Sequence, residues 1–384
     1  MENIIYRSAK RTLLLSFLAL AGVAMTGCGG SGAENDKAGK SAADSVAKTS
    51  SDENIGPKKT GPLTLAMVGD IMMGTTLPKD GSNLPKDDGV SLFNDVSEIL
   101  RSADIAAGNL EGSMFDGDGI PKPVRNPARY FAFKMPERYA KHLLDAGFDF
   151  VGIANNHIHD FGPEALEGTM KTLERAGLAY AGVRDKKPTA IVEKDGRKIG
   201  FVAFGFDDGM PSINNFEEIK TLVSGLKKQC DFVVVSFHGG GEGKSFQHVP
   251  HKKEITSKDR GDVEKFAHAA VDAGADAVYG HSPHVPRAVE LYKDHIIFYS
   301  LGNFCTPYKF NLVDVNGMAP LAVVTLNSDG SFAEGKIHSF TQSRGIGPRK
   351  DSSNRAAKKM RELTKSDFPN TQIVISETGE IRRK

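Results

Sequence analysis

Gly152-Ile-Ala-Asn-Asn-His-Ile-His-Asp-Phe-Gly162 follows the apolar run Asp149-Phe150-Val151 and precedes Pro163-Glu164-Ala165-Leu166-Glu167. An apolar run that breaks into polar residues, then restarts with Pro in a first helical turn, reads as strand, loop and helix. That order places Asn155, Asn156, His157 and Asp160 at the carboxyl end of a parallel strand. This is the edge where α/β folds keep their sites. Taken alone, the two amides also suit a turn and Asp160 a helix cap. The same pattern recurs along the chain, and the recurrence decides the reading.

Toward the amino terminus, Leu63-Thr-Leu-Ala-Met-Val68 is a β-prone run that ends in Gly69-Asp70. Asp104-Ile-Ala-Ala-Gly-Asn109 is another, ending in Leu110-Glu111-Gly112. Between them Phe93, Val96, Ile99 and Leu100 have the spacing of one buried helix face over 92–103. The Gly- and Pro-rich stretch 113–129 predicts a long loop forming part of a substrate rim. Pro136 opens a helix that Gly147 ends.

Toward the carboxyl terminus a helix over 163–176 and a strand over 178–181 continue a βαβα succession, which predicts a parallel sheet and hence an α/β fold. Asp195-Gly196 joins two strands as a hairpin. After an amphipathic helix at 216–228, the strand 231–237 ends in His238-Gly-Gly-Gly-Glu242. After a helix at 259–273, the strand 276–279 ends in Gly280-His281-Ser282-Pro283-His284. The segments 288–292, 295–300 and 321–326 alternate like antiparallel strands, with Lys293-Asp294 as a turn. Residues 341–384 are polar and weakly periodic, so a peripheral extension is expected there, with Arg382-Arg-Lys384 disordered.

The first 28 residues have a basic start, a short apolar core and small residues before Cys28, the pattern of a secretory signal. Thr26-Gly27-Cys28 resembles a bacterial lipobox, which makes Cys28 the expected lipid attachment site, although Met25 stands where Leu is usual. Residues 29–61 lack large apolar groups and read as a flexible tether. The expected location is therefore extracytoplasmic and lipid-anchored to the cell membrane. Gly29 after the cysteine is also compatible with an outer membrane in a cell that has one. With 49 basic and 48 acidic residues there is no electrostatic footprint for nucleic acid. Cys28, Cys230 and Cys305 are too few for a disulfide framework, so the core must supply the stability.

Asp70, Glu111, Asn156, His157, His238, His281 and His284 all fall at or just after expected strand ends. Adjacent parallel strands would bring such ends together. Carboxylates, an amide oxygen and imidazoles form a mixed O/N set suited to Mn, Fe or Zn, one ion or two with Glu111 between them.

Gly69-Asp70, Asn109-Leu-Glu111-Gly112, Ala154-Asn-Asn156-His157, His238 with Glu242, Gly280-His281-x-Pro283-His284 and Ser300-Leu-Gly-Asn303-Phe304, in that order, resemble the bacterial capsule synthesis protein family, CapA or PgsA-like, associated with poly-γ-glutamate. The resemblance covers about Leu63 to Asn327 and implies a calcineurin-like metallophosphatase fold over 62–340: a four-layer αββα sandwich of two packed sheets flanked by helices. It further implies a first metal site of Asp70, Glu111 and His284, and a second of Glu111, Asn156, His238 and His281, with His157 as general acid. Asp70-Ile-Met72 departs from the phosphatase Asp-x-His, Glu111 replaces an Asp, and the last two histidines are spaced by three. Glu242, across three glycines from His238, is expected to orient that imidazole, and Asn303 is a candidate for contacting substrate or supporting the site. The function implied is capsule or poly-γ-glutamate-type polymer biosynthesis or export, with polymer synthase subunits and an anionic polymer as partners. An exported metal-dependent phosphoesterase and a non-enzymatic scaffold subunit are the competing readings.

Overall fold

The structure, a computed structural model, describes residues 61–124 and 130–384. The expected signal peptide with Cys28, the tether up to residue 60, and residues 125–129 of the rim loop lie outside the described residues.

Strand β1 (Leu63–Ile71) is almost wholly buried; α1 (Ser97–Ser102) follows, and β2 (Ile105–Leu110) pairs with β1 in parallel. The helix is shorter than the apolar spacing predicts. The Asp87 carboxylate accepts from Gly89 N–H and Ser91 N–H, offering the backbone a turn in place of a helix. Leu92, Phe93 and Val96 are buried from those turns instead. The expected loop begins as a short strand, β3 (Ser113–Met114), paired with β4 (Lys134–Met135). Helix α2 (Ala140–Ala146) ends at Gly147, whose φ of 105° favours a residue without Cβ. Strand β5 (Phe150–Gly152), helix α3 (Gly162–Ala176) and strand β6 (Ala179–Ala181) extend the parallel run.

A new sheet then starts. Strands β7 (Thr189–Lys194) and β8 (Arg197–Phe204) form the expected hairpin, with φ of 53° at Asp195 and 72° at Gly196 as the turn demands. Helix α4 (Phe216–Lys227), β9 (Phe232–Phe237), helix α5 (Val263–Asp272), β10 (Ala277–Gly280), β11 (Val289–Tyr292) and β12 (His295–Phe298) complete it in the order β11-β12-β10-β9-β8-β7. Asn215 caps α4 and Asp262 caps α5, each accepting a backbone N–H three residues on. Ile219, Val223 and Leu226 of α4, with Val263, Phe266 and Ala270 of α5, are buried over this sheet's outer face. Burial of each larger side chain contributes about 1.5–3 kcal/mol.

The chain returns to the first sheet through β13 (Asn303–Cys305), β14 (Met318–Leu326), β15 (Phe332–Ser343), β16 (Ile346–Lys350), α6 (Arg355–Asp367), β17 (Ile373–Ile375) and β18 (Glu380–Arg383). The main order is β17-β18-β15-β14-β1-β2-β5-β6, with β13 beside β1 and β16 beside β15. Residues 341–384 are thus not the peripheral extension expected from their polarity. Met360, Ile373, Ile375 and Ile381 are core residues, and Arg383 Nε donates to Phe332 O at 2.8 Å, so the carboxyl-terminal strand is ordered. The signal was weak because β17 and β18 hold three and four residues, and because two of the apolar positions of α6 are Ala356 and Ala357.

The sheets pack face to face. Phe150 of β5 stacks on Phe201 of β8 at 4.2 Å between centroids, and a Cβ at Gly152 would lie 3.2 Å from Ser236 Oγ of β9. With α1 to α3 against the first sheet and α4 and α5 against the second, the layers are α, β, β, α. The strand ends therefore converge from two facing sheets rather than from one continuous succession.

Candidate metal centre

Asp70 lies near the end of β1, in register with Asn109 on β2 and with Asn303 on β13. Glu111 follows β2, two residues past Asn109, so the strand's period of two puts both on one side. Across the sheet interface, His238 follows β9 and His281 follows β10, neighbouring parallel strands. One oxygen or nitrogen from each of Asp70, Glu111, His238 and His281 lies within 4.8 Å of the others, and all four residues are buried.

The contacts define which atoms face inward. His238 Nδ1 and His281 Nδ1 are 3.0 Å apart. His281 Nδ1 is 3.1 Å from Asp70 Oδ1, and His238 Nδ1 is 3.6 Å from Glu111 Oε2. The outer nitrogens are taken: His238 Nε2 is 2.7 Å from Asn156 Oδ1, and His281 Nε2 is 3.2 Å from Ser236 Oγ. An Nε2–H donated to Asn156 Oδ1 leaves Nδ1 of His238 as a bare lone pair, and Ser236 can do the same for His281. Asn109 Nδ2 bridges the two carboxylates, at 2.8 Å from Asp70 Oδ1 and 2.6 Å from Glu111 Oε2. Glu111 Oε1 is buried with no hydrogen-bond partner among the described residues.

Two nitrogen lone pairs and two carboxylate oxygens pointed at one another repel unless a cation or protons intervene. Separations near 3 Å are those of neighbouring ligands around an ion with metal–nitrogen bonds of about 2.0–2.1 Å. The donor set and the orphaned Glu111 oxygen fit a divalent metal, so the cluster is compatible with a divalent metal site.

Several expected site residues stand one step away. Asn156, expected as a ligand, is half-buried and supports His238 from outside. His284, at φ 58°, directs Nδ1 to the other Asp70 oxygen at 2.7 Å instead of joining the four inward atoms. Glu242 does not orient His238: its carboxylate pairs with Arg260, and both His238 nitrogens are engaged elsewhere. Met72, which replaces the phosphatase histidine, packs with Phe133 and Tyr308 in an apolar cluster.

Beside the centre is a pocket of about 300 Å³ lined by His157, His284, Asn303, Glu242, Phe133 and Phe310, among others. His157 Nδ1 is 2.7 Å from Asp160 Oδ2, which also accepts from Phe133 N–H at 2.9 Å. The His157 ring lies on Phe133 with centroids 4.2 Å apart. Lys122 of the rim loop pairs with the other Asp160 oxygen. Asn303 Nδ2 donates to His284 O and Asn316 O, both at 3.1 Å, and its buried Oδ1 has no partner among the described residues. The sequence pattern gives Asn109, Ser236 and Lys122 no role here, and places Asp160 at the site's edge with a helix cap as the alternative. Asn109 was findable, since Asn-x-Glu on a strand shares one face; Ser236 and Lys122 become visible only once the second sheet and the rim loop are in place.

Electrostatics follow from burial and neighbours. Burial, and then the Asp70 charge, hold the Glu111 carboxyl well above its usual range. Burial alone would raise Asp70 too, but His284 and His281 bring it far below the ordinary value. Burial and the neighbouring His281 push His238 well down, which keeps it neutral. His284 resists burial through Asp70 and is pushed up to about 9. Metal entry needs Glu111 as carboxylate, so binding releases a proton, and a reaction that releases protons strengthens as pH rises. Affinity for Mn or Zn is expected to fall as the pH is lowered. Calorimetry in buffers of different ionisation enthalpy should find net proton release on binding; uptake independent of pH would contradict this.

These four layers, with carboxylates and imidazoles from both sheets meeting at the strand ends, define a metallophosphatase-like α/β sandwich. The model of the bacterial capsule synthesis protein PGA_cap family matches residues 64–308, and the chain belongs to that family. It is 31% identical over 294 residues to the capsule biosynthesis protein CapA of Bacillus anthracis, covering 69% of this chain and 67% of that protein. It is 30% identical over 259 residues to the PGA biosynthesis protein CapA of Bacillus subtilis (strain 168), covering 63% of each. The chain thus spans about two thirds of these relatives' length. Among solved structures, the NAD nucleotidase NadN of Haemophilus influenzae aligns with a TM-score of 0.40 and 14% identity, over 79% of this chain and 62% of that one.

Proposed function

We propose that the protein acts in capsule or poly-γ-glutamate-type polymer biosynthesis as a lipid-anchored extracytoplasmic protein, using the metal centre to support hydrolysis of a phosphoryl or acyl bond in a substrate held in the adjoining pocket. The observation that carries the reading is the four inward donor atoms of Asp70, Glu111, His238 and His281 beside a pocket walled by His157. Family membership supplies the biological setting, and the relatives' names supply the polymer.

A divalent ion held by those four residues supplies Lewis acidity toward a phosphoryl or acyl oxygen. The protein's own part is positional. The Asp160 carboxylate accepts the Nδ1 proton of His157, which leaves Nε2 to exchange a proton with the leaving group. Phe133 packs against that ring at a tilt of 36° and, with Phe310, keeps the pocket wall apolar. Asn303 Oδ1 lacks a partner among the described residues and suits a substrate N–H or O–H donor.

Loss of His157 should lower turnover about 10²–10⁴-fold, the range of general acid catalysis, with the metal retained. The test is polymer output and phosphoesterase activity of His157→Ala, with metal content measured on the same preparation. Full activity, or lost metal, would overturn the assignment of His157. Undiminished surface polymer in a strain lacking the gene would overturn the biosynthetic role. A protein inert toward phosphomonoesters and diesters yet required for polymer would favour the scaffold reading and its synthase partners.

A further inference from the structure

The carboxyl-terminal part of the fold carries a net positive charge. Arg344 to Lys384 holds 11 Lys and Arg against 5 Asp and Glu, a net +6 in a chain whose formal net charge is +1. Helix α6 buries Ala356, Ala357, Met360, Leu363 and Thr364. Lys358, Arg361 and Lys365 recur at intervals of three and four, so they share another face. Lys358 and Lys365 are exposed with no carboxylate partner among the described residues, and Arg361 makes only a 3.4 Å contact to Glu377.

Strand β17 ends the first sheet, and its outer edge pairs with no strand among the described residues. On its inner edge Gln372 C=O accepts from Lys384 N–H at 3.0 Å, and Ser376 N–H donates to Glu380 C=O at 2.9 Å. Antiparallel pairing alternates, so the intervening Ile373 and Ile375 direct their N–H and C=O outward. Between α6 and β17 runs a groove of about 230 Å³ lined by Arg361, Lys365, Phe368, Val374 and Lys384, among others. Val374 is 50% exposed.

We propose that this groove and strand edge dock an extended anionic polyamide chain. Its amide groups pair with the outward backbone of Ile373 and Ile375, as in strand addition, and its carboxylates meet Arg361 and Lys365. An anionic lipid surface would use the same cations but leave the backbone donors and acceptors of β17 unmet. The site is separate from the metal centre, and only the choice of glutamate polymer as occupant rests on the function proposed above.

The experiment measures binding of the full chain to fluorescent γ-linked and α-linked oligoglutamate, and to phosphatidylglycerol vesicles. It compares the parent with Arg361→Glu/Lys365→Glu and with a control reversal on α4's far end, Lys228→Glu. The double variant should bind oligoglutamate about tenfold more weakly, the equivalent of about 1.4 kcal/mol, and the control should bind like the parent. Metal content should be unchanged in both, which separates failure of docking from failure of the centre. Hydrogen exchange gives a readout free of substitution: the Ile373 and Ile375 amides should gain protection when oligoglutamate binds. Equal binding by parent and double variant, no added protection, or binding to vesicles alone would overturn the proposal. So would a double variant that merely self-associates, since the cations would then serve only to guard an open edge.

Discussion

Replacing His281 with Ala should weaken divalent-metal binding by roughly one to two orders of magnitude or more, since losing even a supporting partner of a metal ligand costs 10–100-fold. The same is expected of His238→Ala. Each residue supplies one of only two inward nitrogens, and their Nδ1 atoms stand 3.0 Å apart. Removing one leaves two carboxylates, drawn together by Asn109, with a single neutral donor. Ser236→Ala and Asn156→Ala should lose less, because each acts through the outer nitrogen of a ligand. Equilibrium dialysis with Mn and Zn checks the series. Parent-like binding by both histidine variants would make the cluster a structural network of hydrogen bonds.

The second large effect lies under the loop that follows His238. Arg287 is fully buried, and its guanidinium makes bonds of 2.8 and 2.7 Å to the two oxygens of Glu254. It also donates to Phe246 O at 2.7 Å, while Glu254 accepts from Gly241 N–H at 2.9 Å. Glu254→Ala strands that cation without a counter-charge and should destabilise the fold by about 3–5 kcal/mol. The double replacement Arg287→Met/Glu254→Leu removes both charges and should cost much less, because desolvation of the pair offsets most of its attraction. Denaturant midpoints of the two variants decide it. A loss below 1 kcal/mol for Glu254→Ala would show that water or another group compensates the charge.

Read from sequence alone, the strand ends were the most legible part of this fold. Each combines a β-prone run with an abrupt switch to Gly, Asn, Asp or His, and β1, β2, β5, β9 and β10 all lie where that switch predicts. Helix lengths were less legible: the apolar spacing at 92–100 is also satisfied by turns that the Asp87 carboxylate holds. The division into two sheets was legible only through family resemblance, because periodicity cannot tell whether β9 extends the sheet of β5 or faces it. Close approaches such as Gly152 to Ser236 depend on tertiary packing. The same limit explains the site. Asp70, Glu111, His238 and His281 were identifiable by residue type and position, but the step that moves Asn156 and His284 outward depends on which ring nitrogen meets which oxygen. That relation has no signature in spacing.

The most direct measurement is a crystal structure of the purified protein soaked with Mn or Zn, with the ion located by its anomalous scattering. The expected result is a peak bounded by Asp70 Oδ1, Glu111 Oε2, His238 Nδ1 and His281 Nδ1, the four inward atoms. An ion bound elsewhere, or these four side chains unchanged with no ion between them at saturating metal, would contradict it.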